Sequence, residues 1–294
     1  MIRRLIILFL FFPALSILAQ DNEQRAEAIL AMAIQKVEEG GSLEEFTPMF
    51  EQAVKFSPSK VETYILWGTA ITMYEEDNDK AELIESATDK FRMAALLQPD
   101  NALVHYTWAV SLLYYAKKTD NEELQTEAFD KLDMASKLTD ENQDIYLIWA
   151  DAMLEKARTD ENTDSFRKSS QLYSKTLEKD ANNMRAHWGK GYAYLSIGRQ
   201  EKNLRKYRTE IETAFTRAEQ LGSQSAAYNL ACYYSLIKEK EEALKWLEKT
   251  IIKAPGYEMT MAVLDKARIN DDKDFDNIRK DKRYKQLLEK YFGK

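Results

Sequence analysis

The residues able to do chemistry in this chain are few and scattered. His105 and His187 are its two histidines and Cys232 its one cysteine. A metal site on a helix sets a second His or a Glu three or four positions from the first, which puts both donors on one face. Neither histidine has such a companion, so both read as packing residues. Asp272, Asp274 and Asp276 alternate like the opening of a calcium loop. The turn glycine is replaced by Asn277, however, and the twelfth position, where a bidentate Glu belongs, is Arg283. A polar turn leading into a helix is the expected outcome. Cys232 lies beside Tyr233 in an apolar stretch and reads as a buried, inert thiol. Arg199, Lys202, Arg205, Lys206 and Arg208 form a basic stretch that reads as a solvated helix face, with a site for an acidic partner as the other reading. The sequence has no Gly-rich phosphate loop, no Ser/His/Asp set and no carboxylate pair that spacing singles out. It therefore predicts neither an enzyme nor a metal or cofactor site.

Composition says which elements carry these residues. A charged fraction of 31% and a hydrophobic fraction of 45% belong to a folded chain. Nine Gly and five Pro in 294 residues leave few turn signals, which disfavours all-β and α/β folds. Helix formers dominate instead. The net charge of −7 argues against tracking nucleic-acid phosphates, so no nucleic-acid partner is expected. A single cysteine permits no internal disulfide.

The first residues read as an export signal. Met1-Ile2-Arg3-Arg4 is cationic, Leu5 to Phe12 is unbroken apolar sequence, and Ser16-Ile17-Leu18-Ala19 ends beside polar Gln20-Asp21-Asn22. This is the layout of a secretory signal peptide, with cleavage expected after Ala19. A retained anchor is the other reading, but Leu5 to Ala19 is 15 residues and a span needs about 20. The expected product has no transmembrane span and lies in the periplasm or outside the cell. No cysteine near the cleavage site offers a lipid attachment point.

The mature sequence repeats itself. Trp67, Trp108 and Trp149 are spaced 41 residues apart, and each is followed by a small residue: Gly68, Ala109, Ala150. One further step reaches Lys190-Gly191. Tyr64, His105, Tyr146 and His187 form a parallel column, which places both histidines. Downstream, Ala87, Ala128 and Ser169 repeat, as do Phe91, Leu132 and Tyr173, then Ala94, Ala135 and Thr176; Pro99, Asp140, Ala181 and Gly222 close successive units. Tyr64, Trp67, Gly68 and Ile71 fall on one face of a first helix, and Ala87, Phe91 and Ala94 on one face of a second. A small residue opposite a large ring lets two helices approach closely.

These columns resemble the tetratricopeptide repeat (TPR), whose second helix carries Ala, an aromatic, Ala and then Pro, as Ala87, Phe91, Ala94 and Pro99 do. Ala243, Leu247, Thr250 and Pro255 follow nearly the same pattern after Leu230, Ala231 and Tyr234. An N-terminal unit is visible in Leu30, Ala33, Ile34 and Val37 with Phe46, Phe50, Ala53 and Pro58. The resemblance implies an all-α, right-handed superhelical solenoid of antiparallel helix pairs with about five to six repeats. The expected organisation is a signal peptide over 1–19, the solenoid over 20–256 and C-terminal capping helices over 257–294. The period departs from the usual TPR length of about 34 residues. Between the small residue and the second-helix Ala lie 19 positions in three units but 12 in the last. Seven extra residues are about two helical turns, one for each helix of a pair. Their polar tips, such as Glu75-Glu76-Asp77-Asn78-Asp79-Lys80, are expected to project into solvent.

The resemblance also implies a partner-binding concave face formed by first helices. Carried over by column, its lining is Ile65, Thr69 and Met73, then Tyr106, Val110 and Tyr114, then Leu147, Asp151 and Glu155, then Trp188, Tyr192 and Ser196, and finally Tyr228 and Cys232. The strongest candidates are Tyr106, Val110, Tyr114, Leu147, Asp151, Trp188, Tyr192 and Tyr228. Tyr and Trp suit anchoring of a peptide or helix, since each buries much area at low entropic cost. The Lys/Asn set by which some TPR domains clamp a C-terminal carboxylate is missing. The implied function is a non-catalytic protein–protein scaffold with an unidentified protein or peptide partner. The alternative is a glycan or small-molecule binder that uses the same rings. Nothing in the sequence sets the oligomeric state.

Overall fold

Helical periodicity without turn residues gives helix after helix. The computed structural model describes residues 22–78, 81–253 and 264–293. The expected signal segment 1–19 and the expected boundary at 256/257, with Pro255, lie outside them. Fourteen α-helices and no strand occur among the described residues. The chain divides into two compact units between Ile145 and Tyr146. The first holds α1 (Asn22–Glu38), α2 (Leu43–Phe56), α3 (Val61–Asn78), α4 (Ile84–Leu97), α5 (Ala102–Thr119) and α6 (Glu122–Leu138). The second begins within α7 (Gln143–Thr159). It continues through α8 (Thr163–Lys179), α9 (Met184–Gln200), α10 (Arg208–Gln220), α11 (Gln224–Leu236) and α12 (Lys240–Lys253). It ends with α13 (Lys266–Asp271) and α14 (Lys282–Phe292).

The 41-residue period is the period of the helices themselves. First helices α3, α5, α7 and α9 start at 61, 102, 143 and 184, each 41 after the last. The extra residues lengthen both members of a pair. First helices α3, α5, α7 and α9 run 18, 18, 17 and 17 residues, against 13 for α11. Second helices α6 and α8 run 17, against 14 for α12. In two repeats a 3₁₀ turn supplies part of the extension, Ala81–Leu83 before α4 and Leu204–Tyr207 before α10. Whole turns keep the buried faces in phase.

Packing follows the columns. Ala87, Ala128 and Ser169, then Phe91, Leu132 and Tyr173, then Ala94, Ala135 and Thr176 are all buried, none more than 1% exposed. The small residues of the first helices are small because rings lie against them. A Cβ on Gly68 would stand 2.9 Å from the Phe91 ring, and one on Gly191 2.8 Å from Phe215. Behind them the tryptophans are buried beneath lysines from the paired helix. Lys90 lies 4.1 Å from the Trp67 ring centre, Lys131 3.8 Å from Trp108 and Lys168 5.0 Å from Trp149. Phe50 of α2 stacks on Trp67 at 5.8 Å, joining the N-terminal pair to the next.

The histidine column ties the loops between repeats. Tyr64 Oη donates to the carbonyl of Pro58 at 3.0 Å, His105 Nε2 to Pro99 at 2.6 Å and His187 Nε2 to Ala181 at 3.0 Å. One side chain early in each first helix thus holds the carbonyl six residues before it. Asparagines cap many of the helices: Asn101, Asn121, Asn162 and Asn183 each accept from a backbone N–H of the following first turn.

One expectation is corrected. Glu75, assigned to a solvated tip, lies within α3 with a fully buried side chain, and Lys118 Nζ of α5 reaches its Oε1 at 2.5 Å. Because the helices are a turn longer, α3 and α5 enclose the position instead of exposing it. The carboxylate is tolerated there because it is paired.

Two substitutions test this packing. Trp108→Ala is expected to lower the free energy of unfolding by roughly 3–5 kcal/mol, as for other large-to-small core changes. A loss below about 1 kcal/mol in urea melts would show that the column is not core. Gly191→Val is expected to cost at least about 1–3 kcal/mol by forcing Phe215 aside.

Candidate binding face

First helices supply the candidate residues in both units. In the first unit, α5 is almost wholly enclosed. Tyr106 and Val110 are buried and Tyr114 is half-buried. Burial, with the Asp144 charge, raises the Tyr106 phenol well above its ordinary value. Tyr114 meets Tyr115 edge-on at 5.2 Å and accepts from Lys118 Nζ at 3.3 Å. Burial and a hydrogen bond to Glu75 push its phenol up to about 12. It therefore stays protonated and neutral at any physiological pH.

In the second unit, α7 and α9 carry a more open group. Leu147, Asp151, Trp188 and Tyr192 are all half-buried. Trp188 and Tyr192, one turn apart on α9, stack at 5.4 Å with 24° between planes. The Arg158 guanidinium of α7 lies 5.5 Å from the Tyr192 ring centre. Asp151 accepts from the Tyr173 hydroxyl of α8 at 2.6 Å and pairs with Arg185 of α9 at 2.8 Å. Burial raises its carboxyl above the ordinary range, and Arg185 and Tyr173 pull it partly back.

Tyr228 lies at the far end of this row and is buried beneath the chain's own C-terminal segment. Its hydroxyl donates to Asp272 Oδ2 at 2.6 Å, and the Phe275 ring meets it edge-on at 5.5 Å. Arg199 pairs with Asp274, and Asn277 Nδ2 donates to the Ser235 carbonyl at 3.0 Å. Cys232 is buried under the same segment, its Sγ 3.9 Å from Asp272.

Cys232, Asp272 and Asp274 bring three donor atoms within 4.8 Å of one another. Their chemistry does not suit a cation. Tyr228 and Arg199 already hold the carboxylates, Asp272 also caps the Asp274 backbone N–H at 2.9 Å, and burial pushes the Cys232 thiol far up. The alternating aspartates are a turn and helix start. Most of the basic stretch is likewise engaged within the chain: Arg199 with Asp274, Arg205 with the Ile237 carbonyl, Lys206 with Glu201 and Arg208 with Glu239.

No protein-family profile and no curated protein matches the sequence. Solved structures do. The chain is similar to YrrB, a TPR protein with an unusual peptide-binding site, at 18% identity and a TM-score of 0.51, over 71% of this chain and 93% of that one. It is also similar to PilF of Pseudomonas aeruginosa, at 14% identity and a TM-score of 0.54, over 80% of this chain and 95% of that one. The fold is that of a TPR protein.

Within the repeats, sequence columns located Trp188, Tyr192 and Asp151 but missed their partners. Arg185 and Tyr173 compensate Asp151, and Arg158 covers Tyr192. Arg158 and Arg199 lie 41 residues apart, a column that periodicity contains but that the apolar pattern does not draw attention to.

The raised carboxyl of Asp151 has a defined sign. The folded chain binds that proton more tightly than the unfolded chain does. Ionised Asp151 therefore costs stability that is absent below the ordinary value of 3.8 and grows as pH climbs through the raised one. Asp151→Asn is expected to gain on the wild type between about pH 4 and pH 7. Urea melts at both pH values check this; a wild-type lead that grows with pH contradicts it.

Proposed function

We propose that this TPR protein is a non-catalytic scaffold that holds a peptide or helix of another protein on the first-helix face of its second unit. The observation that supports this most is the stacked Trp188–Tyr192 pair. Two large aromatic rings stay half-exposed on α9, with Arg158 and Arg185 beside them, in a protein that buries most of its other first-helix rings. Such rings gain much from being covered and lose little entropy in the process. Leu147 and the compensated Asp151 complete the patch, and the similarity to a peptide-binding TPR protein points the same way. Tyr106, Val110 and Tyr114 belong to the first unit, where Tyr106 and Val110 are packing residues, and Tyr228 is covered by the C-terminal segment. The export layout of residues 1–19 supports a role in the bacterial envelope, most of all the periplasm. A glycan stacked on the same rings is the second reading, favoured by their flat, half-open faces.

The test is crosslinking in the host followed by purification, comparing wild type with Trp188→Ala/Tyr192→Ala. The expected result is one protein recovered with the wild type and depleted at least tenfold with the variant, while both fold alike by circular dichroism. An unchanged set of proteins contradicts the proposal. If a panel of oligosaccharides instead shifts the melting temperature of the wild type but not the variant, the glycan reading takes its place.

A further inference from the structure

The chain carries, one repeat away from the open rings, a worked example of what this face holds. Asp272, Asp274 and Phe275 lie against α9 and α11. Arg199 takes the Asp274 carboxylate, the Tyr228 hydroxyl takes Asp272, and the Tyr228 ring takes Phe275 edge-on. Each of the receiving residues has a counterpart one repeat earlier. Arg158 stands 41 residues before Arg199, Trp188 40 before Tyr228 and Tyr192 40 before Cys232. These offsets match the helices, since α7, α9 and α11 start at 143, 184 and 224. The earlier position therefore presents an arginine at the same place on the first helix and an aromatic ring at the same place on the next. It differs in what covers it. Tyr228 and Cys232 are buried under the C-terminal segment and Arg199 is paired with it, whereas Trp188 and Tyr192 are half-exposed and Arg158 is exposed. Among the described residues no carboxylate forms an ion pair with Arg158.

We infer that the Arg158–Trp188–Tyr192 site binds a short turn-forming segment in which two acidic residues precede an aromatic one, in the manner of Asp272-Lys273-Asp274-Phe275. This deepens the scaffold reading and rests on it. The guanidinium would take a carboxylate, as Arg199 does, and the partner's ring would lie on Trp188, as Phe275 lies on Tyr228. Asp151, on the same side, is compensated by Arg185 and the Tyr173 hydroxyl. Trp188 lacks the hydroxyl by which Tyr228 holds Asp272, and the Tyr192 hydroxyl, in the column of the Cys232 thiol, is the donor for the second carboxylate.

The probe is a fluorescein-labelled peptide with the sequence of residues 271–277, titrated into the full chain and followed by anisotropy. The equivalent site at α11 is filled by the chain's own segment, so added peptide reports on the open one. Saturable binding is expected. It should weaken at least tenfold when the peptide's aspartates are replaced by asparagine, and by a similar factor with Arg158→Glu or Trp188→Ala. Arg158 is exposed, so Arg158→Glu is expected to fold normally, which circular dichroism verifies. Equal binding of the two peptides, or binding unaffected by Arg158→Glu, overturns the acidic preference. If that indifferent binding is still lost with Trp188→Ala, the scaffold face stands without it. Failure of the aspartate peptide to bind overturns the inference, and the crosslinking comparison then judges the scaffold reading separately.

Discussion

Close approach of a first helix to a second, ring against missing side chain, is the constraint on which the rest of this structure depends. Gly68 receives Phe91 and Gly191 receives Phe215, at distances that leave no room for a Cβ. Gly189 receives Tyr173 of the preceding repeat even more tightly, with a Cβ position only 2.2 Å from the ring. The same device therefore acts within a helix pair and between consecutive pairs. The ring fills the space that the small residue opens, which is how a thin element two helices wide reaches the density of a core. No pair buries both of its faces, and each depends on its neighbour for the remainder.

Close packing demands strict phase, and the extended repeats keep it by adding whole turns. The longer helices then bring new groups into the interior. Glu75 and Lys118 form a buried pair, and Thr72 Oγ1 and Ser111 Oγ share a hydrogen bond of 2.7 Å between α3 and α5. Polar linkage of this kind costs desolvation and fixes one register in return. The loop ties made by Tyr64, His105 and His187 act to the same end, since each fixes where a first helix begins relative to the loop before it. Two histidines that suggest chemistry by type are structural by position.

The helix count, the period and the buried columns were legible because the sequence states them several times over. Trp67, Trp108 and Trp149 mark the period, and Phe91, Leu132 and Tyr173 confirm it. The lengthening of both helices followed from counting seven surplus residues as two turns. What escaped was set by side-chain reach. The burial of Glu75 depends on Lys118, 43 residues later, and polarity alone placed it in solvent. The candidate face was legible only as a column: the columns named Trp188 and Tyr192, and pairing across helices then identified Arg158, Arg185 and Tyr173 as their neighbours. The C-terminal segment was expected to cover the last repeat. That it does so with Asp272, Asp274 and Phe275 on Arg199 and Tyr228 was beyond any pattern in the apolar residues.

Function in this account comes from what the stack leaves open. Most first-helix rings are consumed by packing, and the stacked Trp188 and Tyr192 on α9 are among those left half-exposed. Beneath those rings, 41 residues are one interchangeable structural unit, since α3, α5, α7 and α9 start 41 residues apart. The most direct measurement is to delete Val61–Asn101, one full period within the first unit, and record circular dichroism and cooperativity of urea unfolding. The prediction is a folded chain, shorter by one helix pair, that still unfolds in a single cooperative transition, because Lys60 then joins Ala102 in the phase that Asn101 had. A deletion of about 34 residues from the same start, the ordinary TPR length, should not be tolerated. A collapsed or molten product from the 41-residue deletion, or equal tolerance of both, would contradict the account.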